Sequence, residues 1–227
     1  SAFVSLGVLL FLLPLHAFAT VFLNYGVGLA EVLGSSLIIP MWKEFLIALL
    51  TVLLAAKFIT EKKFPKLDGL DSLILVYMTF GILHALIVQV PLGQFIWGAR
   101  YDYVFLWVFL LVRHSGFSTK HVNSLFKITL LGGVFSLILG YLIHFVIIPE
   151  NLTAFGFRND WSTWYPGQSL AFCQRVENQE LCRMSGTFAG PNQLGAYLVI
   201  LLPLVYMWRK EVKMKLSSWG ILRAVPA

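Results

Sequence analysis

Charge is scarce in this sequence. Asp, Glu, Lys and Arg make up 12% of its 227 residues, against a hydrophobic share of 58% and a mean hydropathy of +0.79. A soluble domain carries about a quarter charged residues, so that class is excluded. No Walker loop, dinucleotide fingerprint or hydrolase elbow is present, which leaves chemistry without a nucleotide and no cofactor to expect. His16, His84, His114, His121 and His144 stand singly, without the short ligand spacing of a metal site, and no metal is expected. The formal net charge of +6 does not point to nucleic acid, because the cations fall between apolar runs and form no basic patch. There is no internal repeat and no low-complexity tract.

What the sequence has instead is long apolar runs. A spanning helix needs roughly 20 mostly apolar residues, and neither open sheet edges nor bare loops can face lipid. Six runs, at about 2–23, 43–59, 70–90, 95–112, 125–148 and 191–208, predict an all-α, polytopic membrane bundle forming a single domain over 1–227. The first run is too long for the apolar part of a signal peptide and has no basic leader, so it reads as a retained helix. The chain opens on Ser1 and stops soon after a basic stretch, which suggests an amino-terminal portion of something longer.

Basic residues gather in alternate connections: Lys57, Lys62, Lys63 and Lys66, then Arg113, Lys120 and Lys127, then Arg209, Lys210, Lys213 and Lys215. By the positive-inside rule these are cytoplasmic, as is the amino terminus. The other side then receives 24–44, 91–102 and the loop 149–190. Both cysteines, Cys173 and Cys182, fall in that last loop, on the side where disulfides persist. A bridge between them would contribute roughly 2–4 kcal/mol by restricting the unfolded loop; the alternative is two free thiols. The loop is far longer than the usual connection of about 4–6 residues. Its Trp161, Trp164, Tyr165 and Phe172 suit an interfacial belt or a platform for sugar rings.

Two stretches carry candidate chemistry. Arg183 to Asn192 ends the long loop and opens the last run, with Gly190 placed to cap a helix and Pro191 to start it. A helix amino terminus offers N–H groups and positive dipole, so with Arg183 upstream it can bind phosphate; an ordinary cap beside an interfacial arginine is the plainer alternative. Arg100, in Trp97-Gly-Ala-Arg-Tyr-Asp-Tyr103, lies at the start of a span, where an arginine needs water, a carboxylate or an anion. A local pair with Asp102 competes with an anion role, although residues two apart do not face each other on a helix. Lys43 and Glu44 stand at the start of the second run and can join an anion site or simply pair. Glu31 is the other carboxylate able to act as a base. Asn151-Leu-Thr153 matches a glycosylation acceptor, a pattern of low specificity.

The segment Arg183, Gly186, Thr187, Phe188, Pro191, Asn192 resembles the Arg-x-x-Gly-Thr-Phe-x-x-Pro-Asn pattern of the O-antigen ligase and O-antigen polymerase superfamily. The run from Gly98 to Tyr103 is similar to a second arginine position of that family. With the helix pattern, the resemblance covers essentially the whole chain. It implies a GT-C-like bundle and a metal-independent glycosyltransferase, which moves a glycan from an undecaprenyl diphosphate carrier to a glycan, lipid or protein acceptor outside the bacterial cytoplasmic membrane. Arg100 and Arg183 would be catalytic by holding the diphosphate, with Lys43, Pro191 and Asn192 helping to bind substrate. Two features depart from the family. Its members continue into a second large outer loop carrying a histidine and another arginine, and Gly190 replaces a polar residue often found before the Pro-Asn pair.

A transporter or flippase of lipid-linked sugars would also want many spans and intramembrane cations. It would tend to show inverted repeats with helices broken at the midplane, and no such pairing is visible here. A purely structural membrane subunit is the third possibility.

Overall fold

The structure, a computed structural model, describes residues 1–36, 38–62, 64–147, 149–158, 174–176, 179–183 and 185–216. The described residues are almost wholly helical. In chain order they form α1 (Ala2–Leu12), α2 (His16–Val21), α3 (Leu29–Val32), α4 (Trp42–Glu61), α5 (Gly69–Ile87), α6 (Leu92–Asp102), α7 (Val104–His114), α8 (Thr119–Tyr141) and α9 (Pro191–Leu216). The long loop adds a ribbon in which β1 (Gln174–Val176) pairs antiparallel with β2 (Gln179–Arg183).

Among the described residues, four helices are long and apolar enough to cross a membrane: Ala2–Gly26, Ile39–Glu61, Gly69–Ile87 and Thr119–Val146. The count reaches five if α6 and α7 form one span. Lipid is the fitting solvent for their surfaces. On α5, Phe80 is 67% and Ile87 80% exposed, a density of bare apolar side chains that water does not favour.

The run at 95–112 is not the continuous span that its hydropathy predicts. It breaks between α6 and α7 with a bend of 48°. Tyr103 sits at the break, its ring edge-on to Tyr77 at 5.9 Å between centroids. Its hydroxyl lies against Gly81, where any Cβ would overlap it. An aromatic side chain anchored on α5 thus sets the corner, an influence that a hydropathy window cannot register.

The chain forms two compact units, Ser1–Leu6 with Glu44–Val122 and Gly7–Lys43 with Asn123–Ala227. In the first, Leu50, Leu54, Leu110 and Leu111 are buried, and one end is tied by ions. Asp68 caps α5 in a reciprocal box with Asp71, each side chain accepting the other's backbone N–H at 3.0 Å, the usual way to satisfy two orphan donors. Asp71 is 1% exposed, with Arg113 Nε and His114 Nε2 each 3.1 Å from its oxygens. Lys57 Nζ donates to the Ser115 carbonyl at 2.9 Å. These cations of the sequence-predicted basic connections therefore double as clamps on helix ends.

In the second unit, neighbouring glycines let two helices close up on α8. A Cβ at Gly132 would come 2.7 Å from the Phe11 carbonyl oxygen of α1, and one at Gly133 2.7 Å from Leu201 of α9. Small residues at such crossings are how membrane helices gain dispersion contact without a hydrophobic driving force.

Candidate functional site

The first apolar run carries a proline, Pro14, inside a 3-10 turn at Leu13–Leu15 that separates α1 from α2. Proline cannot donate, and its ring disturbs the ladder around it. In an unbroken helix the Phe18 N–H would bond the Pro14 carbonyl; here it donates to the Thr187 carbonyl at 3.1 Å. The freed Pro14 carbonyl accepts from Thr187 Oγ1 at 2.8 Å. Thr187 thus supplies both halves of the missing backbone bond. Its single hydroxyl proton is used, so the Ser136 hydroxyl of α8 donates to Thr187 Oγ1 in turn. Thr187 and Ser136 are each 1% exposed.

This clasp fixes the segment leading into α9. Gly186 takes a left-handed conformation at φ +60°, which glycine tolerates best. Gly190 is buried, and its carbonyl accepts from Leu194 N–H at 3.2 Å as the first bond of α9, with Pro191 at the first helical position. That is the cap the sequence predicts. Phe188 packs on Tyr197 at 5.0 Å between centroids, while Asn192 is exposed at the helix start. Arg183 is the last residue of β2, its backbone opposite Gln174. The side chains of Arg183 and Cys182, and all of Cys173, Trp161, Trp164, Tyr165 and Phe172, lie outside the described residues.

In the first unit, Arg100 of α6 pairs through Nε with the Glu44 carboxylate, at side-chain exposures of 16% and 22%. This partner is distant in sequence, unlike the local one read from sequence, Asp102. Asp102 is exposed at the end of α6, whereas Glu44 in the first turn of α4 meets the guanidinium. The guanidinium also stands 5.1 Å from the centre of the Trp97 ring, within cation–π range. Arginine has five N–H donors in a fixed fork, so a carboxylate at Nε and a ring against one face fix the orientation of that fork.

The remaining candidates separate. Lys43 Nζ lies 3.3 Å from His16 Nε2. Trp42 Nε1 donates to His16 Nδ1 at 2.9 Å, so one imidazole gathers two successive residues of α4. Glu31 belongs to the short α3 and is exposed.

Thr187 had no assigned role in the sequence reading, although a proline inside an apolar run was the available signal, since an orphaned carbonyl in a membrane needs a polar partner. Glu44 had only a minor one, because nothing local marks a carboxylate that pairs across a long stretch of chain. No protein-family model, curated protein or solved structure matches this chain.

Proposed function

We propose that the chain is the diphosphate-binding part of a membrane glycosyltransferase of the O-antigen ligase and polymerase type. It lies in the bacterial cytoplasmic membrane as a GT-C-like bundle of six spans with a cytoplasmic amino terminus. The substrate is a glycan on undecaprenyl diphosphate. An acceptor hydroxyl oxygen attacks the anomeric carbon, the bond from that carbon to the diphosphate oxygen breaks, and the hydroxyl proton leaves to water or a base.

The diphosphate departs with more negative charge than it carried in the ester, so preorganised cations lower the barrier. Arg100 meets that need. The single observation that supports this reading most is its fixation by Glu44 and Trp97, which makes it an oriented fork where a solvated arginine would have to be ordered on binding. Arg183, ahead of the clasped and capped start of α9, is the second cation of the reading, with Lys43, Pro191 and Asn192 contributing to binding.

The test is equilibrium binding of undecaprenyl diphosphate to the purified chain in detergent, comparing wild type with Arg100→Ala and Arg183→Ala. Loss of affinity in each variant, with membrane insertion intact, is the expected result. Equal affinity in wild type and both variants would remove the arginines from the site and sink the reading.

A further inference from the structure

The connection from Asn24 to Ser36 folds into an open cleft of about 310 Å³. Its shape is built locally. Gly28 at φ +79° and Gly34 at φ +64° turn the chain on either side of α3, and both face open space where a Cβ would stand. Close packing adjoins the cleft. A Cβ at Gly26 would come 2.7 Å from the Phe155 carbonyl oxygen, and Phe22 packs on Phe155 at 5.8 Å between centroids. Asn24, which lines the cleft, is 2% exposed. Its Nδ2 donates to the Ser36 carbonyl at 2.9 Å, while its buried Oδ1 accepts no hydrogen bond among the described residues. A buried acceptor left open in this way is unfavourable until a donor reaches it.

The chemistry of the lining selects the ligand. Glu31 supplies a carboxylate, Asn24 the open carbonyl, and Ser36 a hydroxyl; among the described residues neither Lys nor Arg lines the cleft. A net negative, acceptor-rich surface repels diphosphate and suits an uncharged ligand with several hydroxyl donors. The volume lies at the small end of ligand sites, room for one or two sugar rings. Beside it Val32 and Leu33 are exposed, an apolar rim suited to a membrane surface.

We infer that the cleft at Asn24, Glu31 and Ser36 is a sugar-binding subsite, which takes a pyranose through its hydroxyls. In the transfer reaction, on which this assignment to the glycan rests, it would hold a sugar of the donor or acceptor.

The experiment measures binding to the purified chain in detergent. The probes are a panel of free hexoses and N-acetylhexosamines, the same sugars on a lipid diphosphate, and inorganic diphosphate. The variants are Glu31→Gln, at an exposed position where the fold is not at stake, and Asn24→Ala. A sugar of the panel binds wild type, and each variant weakens it about tenfold or more, as loss of a hydrogen bond to a charged or buried acceptor should, while diphosphate binding is unchanged. Binding of the free sugar shows that the cleft reads the ring itself; binding confined to the lipid-linked form, with the same loss in Glu31→Gln, shows that the carrier is needed too. Sugar affinity equal in wild type and both variants, or no sugar bound in either form, overturns the inference. Sugar binding that Glu31→Gln weakens in a chain with no affinity for diphosphate would keep the subsite and remove the transferase reading.

Discussion

Thr187 completes the helix at Pro14. Its hydroxyl donates to the Pro14 carbonyl at 2.8 Å and its carbonyl accepts the Phe18 N–H at 3.1 Å, so a loop residue far along the chain replaces one rung of the first helix. A side chain inserted into the i to i−4 ladder is a recognised cause of a bend. In this protein it also joins the segment before α9 to α2 and, through Ser136, to α8.

Thr187→Val removes the hydroxyl at almost constant volume. It leaves the Pro14 carbonyl and the Ser136 hydroxyl unpartnered, at about 1–3 kcal/mol for a buried group without its bond. Thermal unfolding in detergent should move to lower temperature, and Thr187→Ser should retain most of the wild-type value. Equal midpoints for the valine and serine variants would show that the hydroxyl carries no weight.

The Arg100 and Glu44 pair separates stability from function. Arg100→Lys keeps a charge for Glu44 but loses the fork, so the chain stays folded and its affinity for diphosphate falls. Glu44→Ala takes the carboxylate away from a largely buried guanidinium, and removing one partner of a buried pair destabilises by roughly 3–5 kcal/mol, less here because both groups keep some exposure. A double-mutant cycle on thermal stability with Arg100→Leu and Glu44→Leu measures the coupling; additivity would show that the contact contributes nothing.

At Gly81, an added methyl has no room beside the Tyr103 hydroxyl. Gly81→Ala should destabilise by about 1–3 kcal/mol, the usual effect of overpacking. Combining it with Tyr103→Ala should recover part of that loss, because the obstructing ring is gone. Thermal midpoints of the three variants decide it, and no recovery would mean that something else limits the space.

The Asp68 carboxyl is held below its ordinary value of 3.8, first by the hydrogen bond from the Asp71 N–H and further by the Arg113 guanidinium. A pKa lower in the folded state means that the unfolded chain binds the proton more readily. The cap therefore stabilises fully above pH 3.8 and its contribution is lost as the pH falls through the lower, folded value. Asp68→Asn, which still accepts at the cap but cannot ionise, should flatten that part of the acid profile of thermal stability. An identical slope in the variant would assign the acid sensitivity to other groups.

Much of the architecture was legible because hydropathy is a local property. Runs of apolar residues announce spanning helices whatever their neighbours, and Pro191 after Gly190 announces a helix start because its constraint lies within the residue itself. The first span nevertheless runs on to Gly26 as a π-helical segment. Ends depend on hydrogen bonds to other segments, which no window of sequence contains.

By itself, then, the sequence determined that this chain is helical, that its surface is made for lipid, and that its few charges must sit at helix ends. Each of these follows from the free energy of placing one residue or one short run in hydrocarbon. Only the tertiary structure decided that Glu44 meets Arg100, that Thr187 repairs the break at Pro14, and that Tyr103, at the break in the fourth run, lies against Gly81. Those pairings join residues distant along the chain, and geometry selects them among many partners of equal chemistry.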